Sequence, residues 1–324
     1  MAFRLRLAPE HTNINFFAYQ WAMLVASCVM IVASIGLWVV MGLNFGIDFQ
    51  GGTTIRTESR SAVDVGAYRQ AMAGLELGDI SITEVFDPTF DADQFVAQVR
   101  IAAQDGSEAV TPETILAVEE ALKTVDPTIT FPSVESVGPK VSGELIWSAI
   151  LAVLGASGAI LIYIWLRFEW QYAVGAVAAL VHDIIITIGV FALFQIKFDL
   201  AIVAALLTIL GYSINDTVVI FDRLRENLVK YKTMPLREVM NLSANETLSR
   251  TLMTTGTTLI ALIAMLIFGG DVIRGFVFAI TFGIVIGTYS SVYVAKNLVL
   301  MIGLDRSDKP KKNGTPDDFA NIDA

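Results

Sequence analysis

The sequence predicts an α-helical polytopic membrane protein of six transmembrane helices, with one extramembrane α+β domain of βαββαβ order between helices 1 and 2. Three observations predict it. The 324 residues are 54% hydrophobic and only 17% charged, and the mean hydropathy is +0.62, which is a membrane protein's composition. Six apolar runs, near 20–43, 145–166, 172–194, 200–221, 251–268 and 275–301, approach or exceed the roughly 20 helical residues that cross a hydrocarbon core. Between the first two runs lies a polar stretch, 44–143, that alternates strand and helix signals.

Lysine and arginine orient the spans. The lead-in 1–19 (Arg4, Arg6), the link after span 2 (Arg167), the segment 222–250 (Arg223, Arg225, Lys230, Lys232, Arg237, Arg250) and the tail 302–324 (Arg306, Lys309, Lys311, Lys312) are basic. The short loops on the other side carry Lys197 and Arg274 alone. By the positive-inside rule both termini are cytoplasmic and 44–143 is exported. That exported stretch holds 16 acidic against 6 basic residues, which equals the whole chain's net charge of −10. An acidic domain of this kind excludes nucleic acid as a natural partner.

Along the chain, Phe16, Phe17, Tyr19 and Trp21 fit an aromatic belt at the membrane edge, and His11 reads as a solvated tail residue. The single cysteine, Cys28, sits in span 1 and cannot form an intrachain disulfide. Val25-Ala26-Ser27-Cys28 has the look of a lipoprotein box, but the apolar run continues to Leu43, longer than a signal's h-region, so span 1 is expected to stay as an anchor. Gly51-Gly52 suits a bend where the chain enters a sheet, with strand-like Thr54-Ile55-Arg56-Thr57 after it. Ser61 is expected to cap a helix to about Gly74, with Asp64 completing a capping box. Strands follow near 80–86 and 94–103. Thr111-Pro112-Glu113 starts a helix to about Thr124, and a last strand near 128–137 leads through Val137-Gly138-Pro139 into span 2. That order is the ferredoxin-like one. Neither metal-ligand spacing nor a nucleophile motif occurs in it, so no metal, cofactor or catalysis is expected there. Small residues at contact spacing, Ala152-Gly155-Ala156-Ala159 and Gly283 with Gly287, predict close helix packing, within this chain or against a partner. The tail from Asp305 is rich in Asp, Lys, Pro and Gly and is expected to be disordered.

Ionisable residues inside the spans carry the functional signal. Asp216 stands in GYSINDTVVIFDRLREN of span 4, and a charged side chain at a helix centre costs about 2.5–3.5 kcal/mol on insertion scales. Asp216 lies six residues above the cytoplasmic end of its span, roughly 9 Å, and Arg250 enters span 5 from that side, so the two can meet. Burial disfavours an ionised carboxylate and a neighbouring arginine favours it, so moving the arginine by a few Å would load or release a proton. The bland alternative is a static ion pair that fixes packing. Asp183 and His182, midway along span 3, read equally well as a second polar site or as a hydrogen-bonded structural pair. Two aspartates on adjacent spans also raise an intramembrane aspartyl protease, but its Tyr-Asp and Gly-x-Gly-Asp motifs are missing.

Taken together, the GIDFQGGT core of Asn44–Thr53, Val137-Gly138-Pro139, His182-Asp183, the Gly211–Asn227 stretch and Arg250-Thr251-Leu252 resemble the SecF family of bacterial protein-translocase subunits over nearly the whole chain. The resemblance implies half of a resistance-nodulation-division fold, with SecD as the other half, working beside the SecYEG channel and often with YajC. It implies a subunit that spends the proton-motive force to draw preproteins out on the periplasmic side, after SecA has pushed them through with ATP. Asp216 and Arg250 match the family's proton-pathway residues. A SecD chain would carry a larger first exported domain and a GMAVDANV-type motif in its fourth span. The runner-up function is a proton-coupled small-molecule exporter half of the same superfamily, which a single six-span half with a domain of about 100 residues fits poorly.

Overall fold

Six helices long and apolar enough to cross a membrane stand in the computed structural model, which describes residues 12–75, 77–85, 91, 93–102 and 110–304. The first is α1 (Gln20–Met41), and a one-turn helix, α2 (Ile47–Gln50), follows it. The extramembrane domain then runs β1 (Gly52–Ser59), α3 (Val65–Met72), β2 (Ile80–Val85), β3 (Phe95–Ile101), α4 (Pro112–Val125) and β4 (Thr130–Val137). The remaining spans are α5 (Pro139–Arg167), α6 (Trp170–Phe194), α7 (Leu200–Lys230), α8 (Leu236–Phe268) and α9 (Asp271–Ser290), the last continued through a π-helical turn, Ser291–Ala295, into α10 (Lys296–Ile302).

The sheet has the strand order β2-β3-β1-β4 with every neighbouring pair antiparallel, which is the ferredoxin-like arrangement. Alternation along the strands aims Ile55, Val99 and Ile82 at one face, where Tyr68 and Met72 of α3 and Val118 and Leu122 of α4 close the core. Pro132 lies in the edge strand β4, where a residue without an N–H belongs, and the β1–β4 register slips between Arg56 and Glu58 opposite it. Thr111 caps α4 by accepting from the Thr114 amide, with Pro112 at the first helical position, as expected.

Several expectations need correction. The cap of α3 is Asp64, whose side chain accepts from the Ala67 amide, because Ser61 lies three residues outside the helix. The stretch expected to bend straight into a strand first makes α2, and only then do Gly51 and Gly52, at φ of 70° and 110°, turn the chain into β1. The basic segment 222–250 is helical apart from Tyr231–Pro235: α7 and α8 extend beyond the expected spans as a hairpin. At 33 residues α8 is about 50 Å long, against a hydrocarbon core of about 30 Å. Phe16 and Phe17 are buried rather than belt-like, whereas Tyr19 and Trp21 are exposed as expected. His11 and the tail from Asp305 lie outside the described residues.

The predicted small-residue contacts divide. A Cβ on Gly283 would collide with Ile209 of α7, and one on Gly287 would come within 3.0 Å of Ser213, so these glycines do set a close helix crossing. Gly155 on α5 faces open space.

Candidate functional site

A polar layer interrupts the apolar interior of the bundle where α6, α7 and α9 meet. Asp183 of α6 is fully buried. Its Oδ2 accepts from the hydroxyls of Ser213 on α7 (2.7 Å) and Ser290 on α9 (2.8 Å), and its Oδ1 lies 2.9 Å from Nδ1 of the adjacent His182. The His182 ring stacks on Tyr289 at 6.0 Å, and the Tyr289 hydroxyl donates to the Met23 carbonyl of α1 (2.8 Å) and meets the Ser27 hydroxyl at 2.9 Å. One turn along, Thr217 and Ser291 share a hydrogen bond of 2.8 Å. Serine and threonine are cheap in such spans because most of them also bond back to their own helix, as Ser291 and Ser290 do to the Gly287 carbonyl at 2.9 and 3.1 Å.

Asp216 lies beside this layer, one turn beyond Ser213 on α7, and is as buried as its neighbours. It differs in its partners. Its Oδ2 is buried without a hydrogen-bond donor among the described residues, where Asp183 has two hydroxyls and an imidazole. Thr288 of α9, bonded to Thr255 of α8 at 3.1 Å, stands next to it. Arg250 lies on α8 with an exposed side chain, and its charge acts on Asp216 through space. Among the described residues the two form no ion pair within 4.0 Å, so the expected meeting is an approach across a gap rather than a closed pair. The structure thus brings Asp183, His182 and Asp216 close together, and leaves Arg250 exposed at the edge of the group. The residues that sequence reasoning missed are the hydroxyls Ser213, Ser290, Ser291, Thr217 and Thr288, together with Lys296, a lysine buried within the last span.

The Asn44–Thr53 motif ties the opposite end of α7 to the domain. The Asp48 carboxylate accepts from the Leu200 amide at 2.9 Å, capping α7 alongside its own Asp199. Phe45 bridges to Phe198 as a one-pair parallel ladder, with Gly46 N donating to the Phe198 carbonyl at 2.8 Å. A Cβ on Gly46 would stand 3.1 Å from Lys197 Cε and 3.2 Å from Asp199 Cβ, so only glycine allows this approach without displacing them. From the sheet, Arg100 of β3 donates to the Phe45 carbonyl (3.0 Å) and to the Gln50 side chain. Burial pulls the Arg100 guanidinium below the usual arginine value, and the nearby Asp79 opposes that shift.

Residues 117–305 match the family described as "Protein export membrane protein SecD/SecF, C-terminal", and residues 36–63 match the "SecD/SecF GG Motif". The chain is 72% identical to the protein translocase subunit SecF of Cereibacter sphaeroides over 100% of both chains, and 63% identical to that of Rhodobacter capsulatus over 99% of this chain and 98% of the other. The chain belongs to the SecD/SecF family, as a SecF protein-translocase subunit. Its fold is shared with solved SecDF proteins. The structure of SecDF from Thermus thermophilus, described as a translocon-associated membrane protein, matches with a TM-score of 0.80 at 34% identity, and SecDF in a super-membrane-facing form with 0.66 at 36%. These matches cover 91% and 90% of this chain, which spans 39% of each SecDF chain. Within this chain, the GG-motif match falls on the Asp48 tie, and the longer match contains Asp183, His182, Asp216, Arg250 and the hydroxyls of α7 and α9 around them.

Proposed function

We infer that the chain is the SecF half of a SecDF unit in the bacterial cytoplasmic (inner) membrane, with both termini cytoplasmic and residues 44–143 periplasmic. There it uses the proton-motive force to promote late stages of preprotein translocation through SecYEG, with YajC as a further associate. The observation that carries the proton reading is the donor-free Oδ2 of Asp216 in a buried polar layer. A carboxylate oxygen held by donors loses them when it takes a proton, as Oδ2 of Asp183 would lose two hydroxyls, whereas Oδ2 of Asp216 has no donor to lose among the described residues. Arg250, at the rim and free of a close carboxylate among the described residues, can approach or withdraw. Each proton that crosses releases about 2.3 kcal/mol per 100 mV, enough to bias a conformational equilibrium. The role is non-catalytic in the enzymatic sense.

Association with SecD is supported by what the bundle leaves uncovered. Ala152, Gly155 and Ala159 on α5 are exposed, and so are Ala201, Ala204, Thr208, Gly211 and Asn215 on α7. Both sets are spaced three or four apart on one face, the pattern on which a second membrane helix packs closely. An exposed asparagine beside Asp216 is better placed against such a helix than against lipid. The exporter alternative is disfavoured by full-length identity to proteins named as translocase subunits.

Asp216→Asn tests the reading. The variant is expected to insert and to co-purify with SecD at wild-type abundance while losing the proton-driven part of export in inverted vesicles. Undiminished voltage-dependent export by the variant would refute it. Arg250→Met is expected to abolish the same activity and Arg250→Lys to keep part of it, because lysine retains the charge without the planar fork. The pair Asp216→Asn with Arg250→Met separates a switch from a static pair. Restored export in the double variant would mean that the two residues only hold the helices together.

A further inference from the structure

Lys296 lies within the last apolar span, and it is buried with its Nζ unpartnered by any hydrogen-bond acceptor among the described residues. It faces two rings instead. Nζ lies 4.2 Å from the centroid of Phe17 and 4.9 Å from that of Phe16. Phe17 receives a second cation, the guanidinium of Arg237 on α8, at 5.3 Å, and Arg237 also donates to the Phe17 carbonyl at 3.0 Å. The chain leading up to these rings is bound to α8 through its backbone. Asn245 accepts from the Ile14 amide (2.7 Å) and donates to the Ile14 carbonyl (2.8 Å), while Asn241 accepts from the Phe16 amide (3.0 Å). Arg237, Asn241 and Asn245 are spaced four apart, so they form one stripe of α8 given over to holding this segment.

We propose that Lys296 is a positioning residue for the Asp216 site. Its ammonium, through the rings of Phe16 and Phe17, clasps the segment Thr12–Phe17 between α10 and the cytoplasmic stretch of α8. The clasp fixes the spacing of the two helices that frame Asp216 from either side. α8 carries Arg250 and Thr255 further along the same rigid rod, and the helix continuous with α10 carries Thr288 and Ser291. An aromatic face attracts a cation most strongly where water is excluded. A neutral side chain at 296 removes that attraction while filling the same space. Arginine, by contrast, keeps the charge and stacks on rings.

The proposal rests on the proton reading of Asp216 and Arg250, so its test carries a readout that needs no export. In a chain with Cys28→Ala, cysteines replace Asn13 and Leu242, which line one cleft between the segment and α8. A short bismaleimide then scores docking in native membranes. Lys296→Met is expected to lower crosslinking severalfold at unchanged abundance and to reduce proton-dependent export. Lys296→Arg is expected to restore both. Full crosslinking in Lys296→Met would overturn the clasp. Crosslinking retained in Lys296→Arg with export lost as in Lys296→Met would also overturn it, by assigning Lys296 a proton-transfer role that arginine cannot take. If Asp216→Asn exports normally, the proton reading fails separately, and crosslinking alone decides whether Lys296 holds the segment.

Discussion

Asp183 and Asp216 share a depth and a residue type but not a fate, and the difference lies in a few hydroxyl groups. Asp183 holds Ser213 and Ser290 on two other helices and His182 beside it; Ser290 also reaches the Gly287 carbonyl, so Asp183→Ala leaves the Ser213 hydroxyl and His182 Nδ1 as the buried groups without that partner. Each buried unsatisfied group costs about 1–3 kcal/mol. Asp183→Ala is therefore expected to lower the thermal stability of the detergent-solubilised chain markedly, while Asp183→Asn, which keeps an acceptor oxygen, lowers it less. Asp216→Asn is expected to leave that measurement unchanged. The four ionisable residues of the site were legible in the sequence because a charge or an imidazole within an apolar run is conspicuous. The hydroxyls were not. Serine and threonine cost little in a span and bond back to their own helices, so nothing in their spacing marks which ones turn toward a neighbour. Lys296 was visible as a letter, but counting positive charges loop by loop passes over a lysine inside a span.

Among the elements, α2 does the most with the fewest residues. It spans four positions, yet Asp48 caps the helix that bears Asp216, and Ser142 at the start of α5 donates to its Ile47 carbonyl at 3.3 Å. Removing an N-cap acceptor costs about 1 kcal/mol. Asp48→Ala is thus expected to lower thermal stability by about that amount, with Asp48→Asn close to wild type, as read by thermal unfolding of the purified chain. A larger loss would assign Asp48 more than a cap. The sequence marked the glycine pair correctly as the bend into the sheet, yet it could not show α2. One turn of helix lies below the length at which periodicity speaks, and α2 exists because α5 and the α6–α7 connection brace it. The α7–α8 hairpin escaped for another reason. Its polar residues hide the helix from hydropathy, although they stabilise it through Arg223 with Glu246 (2.7 Å) and Asn227 with Ser243 (3.0 Å).

For the molecule as a whole, the order of spans and the βαββαβ domain follow from hydropathy and turn chemistry, and both stand in the structure. What one chain alone cannot display is which face is left for another. Nothing approaches a Cβ built on Gly155, so Gly155→Leu is expected to leave the stability of the isolated chain within about 0.5 kcal/mol of wild type. The same change is expected to weaken co-purification with SecD if α5 is the shared face. Equal recovery of SecD from both chains would move the interface to the exposed side of α7. By contrast Gly189→Ala, which would drive a methyl into Ser34 of α1, is expected to reduce the amount of folded chain with or without SecD.

The π-helical turn Ser291–Ala295 has a consequence for how the last helix can be edited. Such a turn holds one residue more than an α-turn, and one residue is about 100° of rotation. It therefore works as a phase shifter. Before it Ser290 keeps its azimuth toward Asp183, at its first residue Ser291 faces Thr217, and after it Lys296 keeps its own toward Phe17. Deleting Val292 would restore an ordinary helix and swing Lys296 about a quarter-turn away from its rings, with the composition of the span nearly untouched. Length in this helix is thus a rotational quantity, and a lost residue here amounts to a misaimed charge.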